Sequence, residues 1–388
     1  MRLIATLGAT PPKYRHSYQI ENKKYETYFS FEAIKAHFSI DKKDVTLIGT
    51  HKTKEVLGEY IGSYVFVEVN ENSLDEVFKV TIEQTQEGDV VDLTQSFRSL
   101  SFGALLGLSF SKSLSKRPKD IYYAQIDESG CNPSLKPCSF VFVSLKKYDE
   151  MTDMARTVNT FLATLLVVDD VVIDDALYAE FISHLHSLSA AIFDNHFDKA
   201  IEHAKQLSEW IKNNKNESSF AFLQSHLEAL AKELHKILSC YKEHESQRLL
   251  FWSEFLLSKD ITLHAITTLY ESIVAFLDEE LKIEECNHYV DKRGKKREAG
   301  IYQRRNCLKK KMDDCMKVKI PECKKLSEIL YNVDKLRNIS AHAFSNAKTS
   351  KDIASQISSA IKSLKEIYPK RYSAKNGADK LKAVFSDR

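Results

Sequence analysis

Asp89-Val90-Val91-Asp92-Leu93-Thr94-Gln95-Ser96-Phe97-Arg98 is the stretch from which the first half of the chain can be read. A β-branched apolar run closes on hydroxyl and amide side chains, and a helical stretch follows from Phe97 to about Leu114. A short apolar run bounded by turn residues and followed by a helical period is the pattern of a buried strand and its crossover helix. The same pattern recurs on both sides. Residues 3–7 form a first strand closed by Gly8-Ala9-Thr10-Pro11-Pro12, residues 44–50 a second and residues 64–69 a third, with helical periods over 28–38 and 74–83. The 89–94 run is then the fourth strand. Residues 121–126 and 140–145 add two more, with no room for a crossover helix between them, so they are expected to form a hairpin at one end of the sheet. The expectation is an α/β Rossmann-like domain over residues 1–148 with a mainly parallel sheet.

Beyond Tyr148 the pattern changes. Residues 150–388 hold only Gly294, Gly300, Gly377, Pro321 and Pro369 as breakers, and helical periods run over 151–168, 176–212, 217–243, 246–283, 323–344 and 350–367. An all-α domain over 149–388 is expected. A length of 388 residues suits two domains, and 43% hydrophobic residues exclude a disordered chain. A net charge of +2 gives no global attraction to polyanions, so any nucleic-acid contact must be local. The first apolar run is too short for a signal-peptide core, and the longest, residues 161–168, is far short of the ~20 residues of a membrane span. Seven cysteines with no C-x-x-C pair point to reduced thiols. A cytoplasmic protein without a membrane partner is expected.

In an open parallel sheet, ligands sit outside the carboxyl ends of the strands. Three segments qualify as ligand-binding: Gly8-Ala9-Thr10, Gly49-Thr50-His51-Lys52, and Asp92 with Thr94-Gln95-Ser96-Phe97-Arg98. Small residues, hydroxyls and a nearby basic or amide side chain suit a phosphate-bearing ligand, although neither G-x-G-x-x-G nor G-x-x-x-x-G-K-[ST] is present. Taken together, the segments resemble the CARF domains of CRISPR-associated proteins, which sense cyclic oligoadenylates. The similarity is to the branch whose fourth strand ends in Asp-x-Thr-His-Gly-Phe-Arg-Ser. This chain matches at Asp92, Thr94, Phe97, Arg98 and Ser99 and departs at Gln95 and Ser96, which removes the histidine to which ring cleavage is tied. The Ile48-Gly49-Thr50 turn also looks like that branch, which favours cyclic tetra-adenylate as the allosteric activator.

A second constellation lies at Leu336-Arg337-Asn338-Ile339-Ser340-Ala341-His342. At 100° per residue, Ile329, Leu330, Val333 and Phe344 share one apolar stripe, and Arg337 falls on it. A guanidinium there needs partners, so Arg337 is expected to pair across an interface or line a site. Arg-Asn-x-x-x-His on a late helix resembles the HEPN ribonuclease motif, and its place behind a CARF-like domain is the order found in type III CRISPR effector ribonucleases. The resemblance implies catalytic Arg337, Asn338 and His342, a homodimer with a composite cleft, a single-stranded RNA substrate, and cleavage without cofactor or metal.

Other groups read more plainly. The basic segment 292–311 suits RNA phosphates or a solvated loop, and Cys286, Cys307, Cys315 and Cys323 lack the spacing of structural zinc. Two rivals remain: a sensing regulator that binds nucleic acid without cutting it, which would need a winged helix with a short β-hairpin, and a HEPN nuclease controlled by a protein partner.

Overall fold

The structure is a computed structural model that describes residues 1–70, 72–127, 130–167, 175–240, 243–281, 286, 288–290, 295–298, 303, 306–307, 310, 321–341 and 350–368. It divides into two compact units, Met1–Thr152 and Asp153–Arg388.

The first unit is built on an eight-stranded sheet. Its elements are β1 (Leu3–Leu7), β2 (His16–Ile20), β3 (Lys23–Thr27), α1 (Ser30–His37), β4 (Val45–Gly49), α2 (His51–Ile61), β5 (Val65–Glu68), α3 (Leu74–Gln84), β6 (Val90–Gln95), α4 (Arg98–Ser111), β7 (Asp120–Ile126) and β8 (Ser139–Ser144). The strand order is β3-β2-β8-β7-β6-β1-β4-β5, and β5, β4, β1, β6 and β7 run parallel. The central strands β1 and β4 are buried along their whole length because helices cover both faces, which is why they read as unbroken apolar runs. Alternate side chains feed two cores. Leu3, Ala5 and Leu7 pack with Phe31 and Ile34 of α1 and Leu57 of α2. Ile4 packs on the other face with Val77 of α3 and Leu100 and Leu108 of α4.

The sheet departs from the sequence expectation on its β3 side. β7 and β8 do form an antiparallel pair, but β8 continues into parallel pairing with β2, and the β2–β3 hairpin forms the edge. The expected terminal hairpin is therefore internal. His16-Ser17-Tyr18-Gln19-Ile20 buries alternate residues and Lys23-Lys24-Tyr25-Glu26-Thr27 is largely exposed, so neither shows the solid apolar run of the central strands.

In the second unit, α5 (Lys146–Thr164), within which the division between the units falls, is followed by α6 (Ala176–Phe193), α7 (Phe197–Asn214), α8 (Gln224–Ser239), α9 (Glu245–Leu257) and α10 (Thr262–Leu281). After these come α11 (Pro321–Ala341) and α12 (Ser350–Ile367). The 176–212 and 246–283 periods each break into two helices without glycine, at Asn195 and Asp260. Both take left-handed backbone (φ 58°), which their short polar side chains tolerate. One core joins Ile266, Leu269 and Ile273 of α10 to Leu330 and Val333 of α11 and Ile357 and Ile361 of α12.

Two sequence expectations are corrected. The unit is not all-α, because β9 (His288–Val290) and β10 (Lys296–Glu298) pair antiparallel; strands of three residues are too short to show an alternating apolar signal. The thiols are not all reduced either: Cys131 is joined to Cys138 and Cys286 to Cys307, while Cys240 is free and buried. Residue parity and C-x-x-C spacing do not register pairs brought together by a loop. No helix among the described residues is long and apolar enough to cross a membrane.

Candidate functional site

After the β2–β3 hairpin at the far edge, the chain lays β4 and β5 on one side of β1, then returns across β1 to lay down β6 and β7 on its other side. The strand order therefore reverses between β1 and β6, and the crevice beyond their carboxyl ends is where an open α/β sheet presents ligand-binding loops. Gly8 and Gln95 meet there, the Gly8 amide donating to the Gln95 carbonyl at 2.6 Å. A cleft of about 440 Å³ opens between the two loops, lined by Gly8, Thr10, Thr94, Gln95, Ser96 and Phe97 among others. A second, of about 550 Å³, shares Thr94 and Gln95 and is walled by the aromatic side chains of His16, Tyr18, Tyr123 and Phe140.

A polar network underlies this floor. Asp92 is fully buried; its carboxylate accepts from Ser30 Oγ at 2.6 Å and from the Thr94 amide at 2.9 Å. Burial pushes its carboxyl above the usual range, and the bonds from Ser30 and Thr94 oppose that shift. Gln95 ties three elements together: its Oε1 accepts from the Ser30 amide at 2.9 Å, and its Nε2 donates to Tyr18 Oη at 3.2 Å. Thr94 Oγ1 accepts from the Ala124 amide at 2.9 Å, extending the β6–β7 ladder by one side chain. Ser96 Oγ accepts from Thr6 Oγ1 at 3.1 Å and contacts Ser101 Oγ. No side chain caps α4, which begins directly after the cleft residues Ser96 and Phe97.

The other sequence candidates are placed differently. Thr50 is buried and caps α2, its Oγ1 accepting from the Thr53 amide at 3.3 Å; Gly49 is buried beside the Leu7 carbonyl. His51 and Lys52 are exposed, and His51 Nδ1 lies 3.1 Å from Glu68 Oε1. Ala9 is half-buried, Arg98 is exposed, and neither lines the two clefts.

Sequence reasoning missed the aromatic wall. His16 is buried against Tyr18 and Phe140, and its Nδ1 accepts from the Cys138 amide at 3.1 Å, which leaves Nε2 to carry the proton of the neutral ring. Burial lowers its pKa and Glu26 partly offsets the shift. The alternation His16-x-Tyr18-x-Ile20 was the available signal.

In the helical unit, Leu326, Leu330, Val333 and Leu336 form the buried ridge of α11, and Arg337 lies at its edge. Its guanidinium is held from two sides. Nη2 is 2.9 Å from Asp334 Oδ1, and the guanidinium carbon sits 4.3 Å from the centre of the Tyr270 ring on α10. Both partners belong to the same unit, so the half-buried guanidinium has partners there, where the sequence led to an expectation of pairing across an interface or lining a site. Asn338 is exposed one residue on, and the Ser340 hydroxyl is buried without a hydrogen-bond partner among the described residues. His342 and Phe344 lie outside the described residues, as does most of the basic segment 292–311. Among the described residues no group of three His, Cys, Asp or Glu side chains is arranged to hold a metal.

No family model matches the chain, and no curated protein matches it. Among solved structures, it is similar to Enterococcus italicus Csm6 bound to cyclic hexa-2'-fluoro-hexa-dAMP, at 9% identity over 98% of both chains with a TM-score of 0.41. A likeness of that size carries no weight for fold or function.

Proposed function

We propose that this chain is a cyclic oligoadenylate-activated endoribonuclease of type III CRISPR antiviral defence, acting in the cytoplasm as a homodimer. In this reading residues 1–148 are a CARF-like sensor and residues 149–388 a HEPN ribonuclease. The observation that carries it is the position of the Asp92–Ser99 motif: it ends β6 at the reversal of strand order, beside a cleft with amide, hydroxyl and aromatic walls. Such walls suit the bases and phosphates of a nucleotide ring, and cyclic tetra-adenylate is the favoured activator.

In the helical unit, Arg337 supplies a cation whose orientation is fixed by Asp334 and Tyr270 while its side chain stays partly open to solvent. Its role is to stabilise charge on the phosphate oxygens of single-stranded RNA. His342 moves protons and Asn338 orients the phosphate. The RNA 2'-oxygen loses its proton and bonds to the adjacent phosphorus, the bond from phosphorus to the 5'-oxygen breaks, and that oxygen takes up a proton. The products carry 2',3'-cyclic phosphate and 5'-hydroxyl ends, and the cut needs no metal. His342→Ala should slow activator-dependent cleavage by at least ~10²–10⁴-fold, the span lost with one acid–base group. Wild-type turnover in that variant would remove the reading.

The β9–β10 hairpin favours one rival, the sensing regulator that binds nucleic acid without cutting it, because that reading requires a short hairpin in the output domain. Retarded RNA migration with no products at saturating activator would select it.

A further inference from the structure

The exposed side of α11 carries an aromatic ring, a cation and an amide in line. Tyr331, Lys335 and Asn338 stand at i, i+4 and i+7, share one face of the helix and are all exposed, opposite the buried leucine ridge. Tyr331 is 60% exposed, more than any other tyrosine among the described residues. A single exposed ring is ordinary, but the neighbours of this one give it a use. Asp334 is three residues on and therefore beside Tyr331 on the helix. Its carboxylate lies 2.9 Å from Nη2 of Arg337, so those two charges offset each other. Toward the start of the helix, Lys324 and Glu328 form a pair at 4.0 Å. Lys335 has no hydrogen-bond or ion-pair partner among the described residues, so it leaves this face net positive.

We propose that this face is a binding track for single-stranded RNA, with one base stacked on Tyr331 and a backbone phosphate paired with Lys335. The inference rests on the ribonuclease reading and adds to it a substrate subsite outside Arg337, Asn338 and His342. A π-face for a base beside a cation for the backbone is the chemistry by which proteins hold a single strand. A duplex lacks the first contact, because its bases are already stacked on one another. Tyr331 precedes Asn338 by about 10 Å of helix axis at 1.5 Å per residue. At ~3.4 Å per stacked nucleotide, the base on Tyr331 lies about three nucleotides from the phosphate that is cut. Every base has a π-face, so the subsite grips the strand without reading its sequence.

The test uses the full chain with cyclic tetra-adenylate present. Fluorescence anisotropy of a labelled single-stranded RNA, in the His342→Ala background so that the strand stays whole, reads binding directly. Tyr331→Ala should weaken binding about 10-fold, the worth of one base stacked on an aromatic ring, and by the same factor for adenine-rich and uracil-rich strands. Tyr331→Phe and Tyr331→Trp keep the π-face and should bind as before. Lys335→Gln should reduce the slope of log affinity against log salt by roughly one. With His342 restored, Tyr331→Ala should raise KM and leave kcat unchanged. Unchanged affinity in Tyr331→Ala overturns the subsite. So does equal weakening in the alanine and phenylalanine variants, which would point to the hydroxyl, and so does loss of the dimer in Tyr331→Ala, which would assign the ring to chain pairing. Each of these leaves the ribonuclease reading standing where the wild type cuts. A wild type that binds RNA through Tyr331 and never cuts it would keep the subsite and remove that reading.

Discussion

Thr94 shows what one side chain at a strand end does. Its place after an apolar run marks it as a cleft residue, and the cleft contains it, but Oγ1 also accepts the Ala124 amide of the next strand. That partner is 30 residues away and only the fold brings it near. Thr94→Val should therefore cost about 1–3 kcal/mol of stability by leaving a buried amide unpaired, as well as weakening activator binding. Arg98→Ala, at an exposed position, should weaken binding with no change in melting temperature. Calorimetry and thermal unfolding separate the two; equal stability loss in both would contradict this assignment. Asp92 gives a pH signature. Its folded pKa is raised by burial above the unfolded 3.8. Below that value both states are protonated, and as pH rises the unfolded state ionises first, so the stabilising contribution is lost as pH climbs through the folded pKa. In urea unfolding from about pH 4 to about pH 8, wild-type stability minus that of Asp92→Asn should fall. A difference that stays flat or rises would contradict the shift.

Among the elements, those with strong periods were the legible ones. β1, β4 and β6 could be read because both of their faces are buried, and the long helices because few glycines or prolines interrupt them. β3 and β10 could not, since they are rich in Lys and Glu, nor could β9, which has three residues; β2 alternates but lacks the solid apolar run of the central strands. The loop between β7 and β8 was equally silent: the Cys131–Cys138 bond closes it, and Pro133 within it lines both clefts. A thiol reductant opens that bond by taking the two sulfurs to thiols while two reductant thiols become a disulfide. Reduction should then weaken cyclic oligoadenylate binding several-fold, because the wall loses its tie. Cys131→Ser should show the same weakened affinity and no response to reductant. Identical affinities with and without reductant in the wild-type protein would dissociate the loop from the site.

At the scale of the whole molecule, the two halves differ in how much of their chemistry the sequence exposed. The switch between β1 and β6 follows from the strand order, and motif residues 94–97 line its cleft. The aromatic wall of His16, Tyr18 and Phe140 did not show, because it is assembled from separate strands. In the helical unit the ridge of α11 was visible in its period, whereas the hold on Arg337 depends on Tyr270 of another helix. The proposal joins the two units through one claim: a nucleotide ring bound at the first licenses RNA cleavage by the second. The most direct measurement is cleavage of a fluorescent single-stranded RNA in EDTA, with cyclic tri-, tetra- or hexa-adenylate added in turn. The expected result is cleavage with one ring, tetra-adenylate foremost, giving 2',3'-cyclic phosphate ends, and its loss in both Arg337→Ala and His342→Ala. No cleavage with any ring, a strict need for a divalent ion, or wild-type turnover in His342→Ala would contradict it.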